Sequence, residues 1–291
     1  MVPPALAKTM LTTLITTEEL AARLDDPALA LFDVRHDLAA PKSWGEDEYA
    51  KSHIPRAVFL HLDRDLSAKV GPGTGRHPLP TPEACAALFG RVGIDGTKQV
   101  VVYDQGPSAY AAHLWWMLRW LGHEAVAVLD GGFAKWTREQ RPVTDEVIVP
   151  AATTFAVRNV KPTVSSVGVE ASVSRHTLLL IDARAPERFR GEVEPIDPVA
   201  GHIPGAVNRP ASQNLATDGV FKPAAKLRTE FAALLGGRPH TDVVNYCGSG
   251  VTACTNILAM EIAGLPGTRL YPGSWSEWIT QPARPVNKAQ R

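Results

Sequence analysis

The feature that most constrains the fold of this chain is an internal repeat. Four short phrases occur twice and keep the same order, and the first two pairs are each separated by 149 residues. Ordered matches at nearly constant spacing indicate a duplicated domain of about 140 residues, with length drift explained by loop insertions. The paired phrases lie at residues 32–35 and 181–184, 53–58 and 202–207, 101–106 and 244–248, and 129–136 and 270–278.

Each half alternates short apolar runs with helical patterns. This alternation is typical of an α/β fold, so we predict two tandem domains, each with a mostly parallel sheet flanked by helices. In the second half, residues 177–181 and 241–246 read as buried strands, and residues 223–235 and 253–263 as helices. Cys247 then lies at the carboxyl end of a strand and just before a helix, where ligands bind in open α/β sheets.

The domain boundaries follow from the repeat and from composition. We predict a first domain at residues 14–140, a linker at 141–160 that is rich in Pro, Thr and Val, and a second domain at 161–282. A chain of 291 residues accommodates two domains of ordinary size.

Charge and cysteine content limit the function classes. Thirty basic residues balance 30 acidic ones, so no nucleic-acid partner is expected, and no apolar run approaches the roughly 18 residues of a membrane span. Three cysteines make a poor disulfide framework and favour a reducing compartment. Residues 1–10 lack the pattern of a secretory signal. We therefore expect a cytoplasmic protein acting on a small molecule, without a metal cluster or cofactor.

The loop at residues 247–252, Cys-Gly-Ser-Gly-Val-Thr, favours a reactive thiol. Its two glycines permit unusual backbone angles, and inward-facing amides at the start of a helix attract an anion. Cys247 is therefore expected to act as a nucleophilic thiolate, reachable from the cleft between the halves. The alternative is a small buried hydrophobic residue. Cys85 and Cys254 lie in helical patterns and are interpreted as structural, with Cys254 also considered as a resolving cysteine.

A cysteine-dependent phosphatase has the same strand, loop and helix. Such an enzyme needs an arginine six residues after the cysteine, because a guanidinium grips phosphate at two points. Here that position is Ala253, so the loop has no phosphate clamp.

In combination, these motifs resemble those of the tandem-domain rhodanese family. The resemblance rests on residues 182–184, 201–205, 247–252 and 273–278 and spans about residues 14–282. It implies a sulfurtransferase in which Cys247 takes sulfane sulfur from a small anionic donor as a persulfide. The sulfur then passes to a thiophilic acceptor, such as cyanide or a thiol, with a thioredoxin-like reductant as one candidate. The uncharged loop is similar to that of family members that use 3-mercaptopyruvate.

The resemblance also assigns roles to individual residues. Arg188 matches the family's arginine for the donor carboxylate, and Asp63, His77 and Ser249 match a relay that protonates the leaving enolate. For His77, capping of a loop between the domains is the alternative. The loop residues implied to hold the donor and the persulfide are Gly248, Gly250, Val251 and Thr252.

One position departs from the family pattern. A second carboxylate-binding arginine usually follows a Glu-Pro pair, but here Glu194 and Pro195 are followed by Ile196. This loss of a cation keeps thiosulfate open as the donor beside 3-mercaptopyruvate.

The first half carries Asp104 where the second has Cys247. A carboxylate cannot accept sulfane sulfur, so the first domain is predicted to be catalytically silent and to form one wall of the cleft. Residues 33 and 35, like 182 and 184, are expected to make structural Asp–Arg contacts. The helical spacing of Trp115, Trp116 and Trp120 indicates core packing.

Two other classes remain beside the enzyme. A persulfide carrier would take sulfur from a partner protein, although the carboxylate grip of Arg188 favours an enzyme. A redox sensor would need Cys254 to reach Cys247.

Overall fold

The computed structural model describes residues 10–288, so the predicted absence of a signal at residues 1–10 falls almost wholly outside the described residues. The first domain contains five strands and five helices. They are β1 (Leu14–Ile15), α1 (Thr17–Ala21), β2 (Leu29–Asp33), α2 (Trp44–Lys51), β3 (Ala57–Phe59), α3 (Pro82–Arg91), β4 (Gln99–Tyr103), α4 (Ala109–Trp120), β5 (Val126–Leu129) and α5 (Gly132–Arg138).

The second domain contains four strands and five α-helices, with 3-10 turns at Ala211–Asn214 and His240–Asp242. Its elements are α6 (Ser166–Arg175), β6 (Leu179–Asp182), α7 (Pro186–Arg190), β7 (Val207–Asn208), α8 (Ala224–Leu235), β8 (Val243–Tyr246), α9 (Ala253–Ile262), β9 (Arg269–Leu270) and α10 (Ser274–Trp278).

The two sheets share the arrangement of four strands, and the first sheet carries β1 as a fifth strand at the edge next to β5. Their strand orders are β1-β5-β4-β2-β3 and β7-β6-β8-β9, with every pairing parallel. β4 and β8 are central strands, and nearly all of their residues are buried. Burial on both faces of the sheet explains why they consist mainly of valine and end in tyrosine. The α/β duplication is confirmed. The strand predicted at 241–246 begins only at Val243, because the Asp242 N–H donates to Pro239 O (3.1 Å) and closes a turn.

Matched contacts confirm the structural roles predicted for the repeated Asp–Arg phrases. Arg35 pairs with Asp33 and Arg184 with Asp182, each at 2.7 Å and buried. At the end of β4 the Tyr103 hydroxyl accepts an N–H from the neighbouring loop, and Tyr246 at the end of β8 does the same. Both copies therefore fix the carboxyl end of the sheet with the same device.

The segment at 141–160 lies extended along the first domain. Thr144 pairs with His53 through their backbones, the Thr153 N–H donates to Gly90 O (2.8 Å), and the Arg158 N–H donates to Leu121 O (3.1 Å). The domain boundaries at 140 and 161 remain predictions, and this segment belongs spatially to the first half.

The helices that follow the two equivalent loops, α4 and α9, pack against each other between the domains. Their apolar side chains belong to one hydrophobic cluster that spans both halves, and Arg119 pairs with Glu261 across the boundary at 3.4 Å. The three tryptophans of α4 are buried, and Trp116 stacks on Trp120, so their predicted packing role is confirmed. Within residues 10–288, no helix is long and apolar enough to cross a membrane.

Candidate active site

Cys247 lies directly after β8 and is held from three directions. Its N–H donates to Ser274 Oγ (3.1 Å), its carbonyl accepts the Trp275 N–H (3.0 Å), and its Sγ accepts the Gly250 N–H (3.2 Å). Gly250 has φ +87°, and a Cβ atom there would lie 2.2 Å from Pro272 O. A glycine is required at this position because both the backbone angle and the space exclude a side chain.

Cys247 is more enclosed than its sequence context predicts. Its exposure is 2%, whereas the predicted thiol is open to the cleft. The neighbouring Gly248 is covered by two guanidinium groups: a Cβ atom there would lie 2.8 Å from Arg76 Nη2 and 3.7 Å from Arg188 Nη2. Cys247 itself belongs to the hydrophobic cluster that spans both halves, whereas charged groups cover the backbone next to it at Gly248.

Asp63, His77 and Ser249 form a continuous chain across the domain boundary. His77 Nδ1 lies 2.7 Å from Ser249 Oγ, and His77 Nε2 lies 3.2 Å from Asp63 Oδ1. Lys42 pairs with the other oxygen of Asp63 at 3.2 Å. The structure thus brings two residues of the first domain onto the loop of the second, two positions from Cys247.

The protonation of this chain follows from its surroundings. Burial lowers the pKa of His77 to about 4, although the charge of Asp63 opposes the shift. Burial, the largest single cause, would raise the pKa of Asp63, but the hydrogen bond from Lys42 and the electrostatic effects of His77, Lys42 and His36 together outweigh it, so the pKa falls below its ordinary value. A neutral His77 beside an ionised Asp63 donates from Nε2 to Asp63 and accepts the Ser249 O–H at Nδ1.

Arg188 extends from α7 toward the same loop and is engaged by two carboxylates. Its Nη2 lies 2.6 Å from Glu194 Oε1 and 3.1 Å from Asp197 Oδ2. Burial would raise the pKa of Glu194, but the hydrogen bonds from Arg188 and from nearby amides hold it below its ordinary value. Arg188 is thus part of an ordered ionic cluster.

Arg76 and Asp197 are site residues that sequence reasoning missed. Arg76 Nη1 forms an ion pair with Asp197 Oδ1, and the Arg76 N–H donates to Ser276 Oγ (3.1 Å). The sequence offers one signal, which is that Arg76 directly precedes His77. Asp197 carries no motif, since only the folded chain places it between the two arginines.

A cavity of about 350 Å³ adjoins the relay. Its lining includes Asp63, His77, Arg76 and Ile196, and Cys247 is not among the residues that line it. Ile196, the position of the missing arginine, is 44% exposed at this cavity. In the part of the chain from residue 10 to residue 288, no group of His, Cys, Asp and Glu could hold a metal ion.

The remaining loop residues start the following helix. Val251 is buried, and its carbonyl accepts the Cys254 N–H (3.1 Å), while the Thr252 carbonyl accepts the Thr255 N–H (3.1 Å). Val251 and Thr252 therefore shape the turn into α9, and donor binding by either remains a prediction.

The other two cysteines are buried structural residues, as predicted. Burial raises the pKa of Cys85 to about 12 and that of Cys254 well above its ordinary value. Cys254 Sγ lies 3.5 Å from Gly250 O and 3.7 Å from His113 Nδ1 in the domain interface. Because a buried thiol that resists ionisation is a weak nucleophile, these surroundings argue against a redox sensor.

The equivalent loop of the first domain is closed by its own carboxylate. Asp104 is 1% exposed and accepts four backbone N–H groups, from Gly106 (2.7 Å), Ser108 (3.1 Å), Tyr110 (2.9 Å) and Ala111 (3.1 Å). Burial raises its pKa despite these four donors. No thiol is present in this loop to accept sulfur.

Comparison with known proteins identifies the fold family. The model of the rhodanese-like domain matches twice, at residues 16–139 and 169–281. A Pseudomonas aeruginosa protein named "Probable 3-mercaptopyruvate sulfurtransferase" is 49% identical over 276 residues, covering 94% of this chain and 97% of its own. A second relative is "Thiosulfate/3-mercaptopyruvate sulfurtransferase 1, mitochondrial" from Arabidopsis thaliana. It is 32% identical over 302 residues, covering 95% of this chain and 78% of its own.

A solved structure agrees with these relatives. The crystal structure of SseA from Escherichia coli, described as having the rhodanese fold of 3-mercaptopyruvate sulfotransferases, superposes with a TM-score of 0.75 and 34% identity. The match covers 91% of this chain and 100% of that one. The two family matches, the parallel duplicated sheets and the cysteine loop after β8 all agree: the chain belongs to the rhodanese family, as a member with two tandem domains.

Proposed function

We propose that this protein moves sulfane sulfur from a small anionic donor to a thiophilic acceptor through a persulfide on Cys247. Its class is sulfurtransferase, as the names of its full-length relatives indicate. The observation that carries the mechanism is the chain from Asp63 through His77 to Ser249, which ends two residues from Cys247. Such a chain moves a proton, and a proton is needed when 3-mercaptopyruvate gives up its sulfur.

The first half-reaction forms the persulfide. The Cys247 thiolate attacks the donor sulfur, an S–S bond forms, and the bond between that sulfur and the methylene carbon breaks. The electron pair of the broken bond stays on the methylene carbon, which leaves as the enolate of pyruvate. The proton carried by the transferred sulfur passes to that carbon, which gives pyruvate and the Cys247 persulfide anion.

Ser249 is the group placed to carry this proton. Its Oγ accepts the proton from the transferred sulfur and gives up its own proton to the carbon. His77 can hold the Ser249 proton for part of this step, while Asp63 keeps the imidazole in orientation. A neutral His77 suits this role, because an imidazolium would already hold both of its protons.

The second half-reaction returns the enzyme to its thiolate. The Gly250 N–H, which lies 3.2 Å from Cys247 Sγ, is placed to stabilise negative charge on the sulfur atoms, with the helix N-terminus behind it. Cyanide or a thiolate then attacks the outer sulfur and leaves with it.

A thioredoxin-like reductant is a proposed physiological acceptor, and unpaired thiols at all three cysteines support a cytoplasmic location.

Burial of the thiol favours an enzyme over a persulfide carrier. A carrier must present its sulfur to a partner protein, whereas Cys247 is 2% exposed and two arginine side chains cover the adjacent Gly248. A small donor can enter such a site more readily than the cysteine of a folded partner.

Steady-state kinetics tests the proposal. Thiocyanate formation from 3-mercaptopyruvate and from thiosulfate, with cyanide as acceptor, is compared for the parent, Cys247→Ser and Cys85→Ala, the last being a matched loss of another thiol. We expect turnover in the parent and Cys85→Ala and none in Cys247→Ser. Mass spectrometry after donor treatment without acceptor should find one added sulfur atom on Cys247.

Two results would refute the proposal. Parent protein that forms no thiocyanate from either donor would leave the persulfide carrier as the better interpretation. Activity retained by Cys247→Ser would show that the sulfur is carried elsewhere.

A further inference from the structure

Two arginines from different domains converge on the backbone beside the reactive cysteine. Arg76 comes from the first domain and Arg188 from the second, and a Cβ atom at Gly248 would lie 2.8 Å from Arg76 Nη2 and 3.8 Å from Arg188 Nη1. The Arg76 backbone is held near the loop because its N–H donates to Ser276 Oγ (3.1 Å), and the Ser276 N–H donates to Gly248 O (2.9 Å). The loop therefore has two cations at one point on its surface.

A carboxylate of the protein lies between these two guanidinium groups. Asp197 Oδ1 pairs with Arg76, and Asp197 Oδ2 lies 3.1 Å from Arg188 Nη2, with the Asp197 side chain 2% exposed. Glu194 also pairs with Arg188. The formal charges of two arginines and two carboxylates cancel, so an incoming anion meets a cluster that is already neutral.

Position 196 explains why the second cation must come from elsewhere. Ile196 lines the same cavity as Arg76, and it carries no charge where the family pattern has an arginine. The other nearby arginine of the second domain, Arg184, is buried against Asp182 at 2.7 Å and also pairs with Glu194. Arg184 is therefore committed to the structure, while Arg76 is 28% exposed and borders the cavity.

We propose that Arg76 supplies the second cation for the carboxylate of the donor, and that Asp197 occupies the place of that carboxylate until the donor displaces it. The inference rests on the proposed function for its choice of donor, a 2-oxo acid that carries a thiol. It makes the first domain part of the specificity site, since a guanidinium grips a planar carboxylate at two points. Asp197 thereby sets the affinity, because each donor must compete with a tethered carboxylate.

Binding of pyruvate, the 2-oxo acid product, measures this site without any chemistry. Isothermal titration calorimetry on the full-length protein compares the parent with Arg76→Met, Asp197→Asn and Arg64→Met. Arg64 is a matched control, because it is an arginine of the same domain, 55% exposed, that pairs with Glu46. We expect Arg76→Met to weaken binding by roughly 10- to 100-fold, the range for a lost hydrogen bond to a charged group. Asp197→Asn should tighten it by roughly 3- to 10-fold, and Arg64→Met should leave it unchanged.

A second comparison separates recognition from a merely structural role. Turnover of 3-mercaptopyruvate is compared with turnover of 1-mercaptopropan-2-one, in which a methyl group replaces the carboxylate. Arg76→Met should raise KM for the acid and leave the neutral ketone unaffected. Adding Ile196→Arg to Arg76→Met should restore part of the lost affinity, because it places a cation on the same cavity.

The outcomes are distinct from those of the proposed function. Equal pyruvate affinity in the parent and Arg76→Met, absence of binding in both the parent and Asp197→Asn, or a parallel loss for acid and ketone would each overturn the inference. If neither donor turns over while pyruvate binding responds as described, the proposed function fails and the carboxylate site stands.

Discussion

The loops after β4 and β8 occupy equivalent places in the two domains, yet different groups complete them. In the first domain four amides converge on the carboxylate of Asp104. In the second, the Gly250 amide donates to the sulfur of Cys247. The same turn therefore surrounds a carboxyl group of the chain in one copy and, under the proposed function, a sulfur that becomes charged during the reaction in the other.

The comparison also shows what the first domain contributes. Its own loop holds no thiol, but it supplies His77 and Asp63 to Ser249 and places Arg76 beside Gly248. The first domain thus contributes side chains to the neighbouring site although its own loop holds no cysteine.

Exchanging the anions of the two loops should have the largest effect. Cys247→Asp is expected to fold, because the equivalent loop accepts a carboxylate, and to lose roughly 10⁴-fold or more in turnover, because a carboxylate cannot carry sulfur. The reverse change, Asp104→Cys in the Cys247→Asp background, should restore nothing, since His77 and Ser249 lie at the other loop. Thiocyanate assays with circular dichroism as the folding control check both. Activity in the double variant would mean that the loops are functionally interchangeable.

Removing the carboxylate of the first loop should be the next largest effect, and it should act on stability. Asp104→Ala leaves four amides without their acceptor, two of them buried and two part-buried, at roughly 3–5 kcal/mol in the free energy of unfolding. Asp104→Asn keeps one acceptor oxygen and should cost less. Urea unfolding measures both free energies, and kcat of the folded protein should equal that of the parent. A wild-type midpoint for Asp104→Ala would show that the four hydrogen bonds are not needed.

The relay that crosses between the domains should have a donor-dependent effect. His77→Gln is expected to lower kcat for 3-mercaptopyruvate by roughly 10²-fold, about 2.7 kcal/mol. It should affect thiosulfate much less, because sulfite leaves without needing a proton. In the parent, a pKa of about 4 keeps His77 neutral, so kcat should show no loss from its protonation between pH 7 and pH 5. An equal loss for both donors would mean that His77 only supports the structure.

The two buried Asp–Arg pairs should give the smallest and most quantitative contrast. Among residues 10–288, Asp33 is the carboxylate that pairs with Arg35, whereas Arg184 pairs with both Asp182 and Glu194. Removing one partner of a buried pair costs about 3–5 kcal/mol when the other charge is left alone. Asp33→Asn should therefore destabilise more than Asp182→Asn, by roughly 1–2 kcal/mol in urea unfolding. The reverse order would show that Glu194 does not compensate for Asp182.

The sequence predicts the fold well because the repeat supplies its own check. A strand ending in Asp and Arg in one half must end in the same way in the other, and both sheets have that arrangement. The relay could be predicted only through the family resemblance, since Asp63 and Ser249 are far apart in the chain and carry no local signal of proximity. Only the tertiary packing brings Asp63 and Ser249 to the two sides of His77.

The burial of Cys247 and the arginine side chains beside Gly248 could not be predicted from the sequence. A cysteine after a strand and before a helix indicates a site, but its exposure depends on which side chains fold over it. Arg76 and Asp197 meet because two domains dock, and neither belongs to a recognisable motif. The effect of Ile196 on the choice of donor stays a prediction, and nothing at that position identified Arg76 as a nearby cation.

Because α4 and α9 share one hydrophobic cluster, a loss of packing in one domain is expected to destabilise the other as well. Substitutions among the tryptophans of α4 are expected to lower the amount of folded enzyme, because α4 packs against α9, the helix that follows the Cys247 loop. A cell carrying such a variant would transfer less sulfur because it contains less folded enzyme, while each folded molecule would turn over at the normal rate.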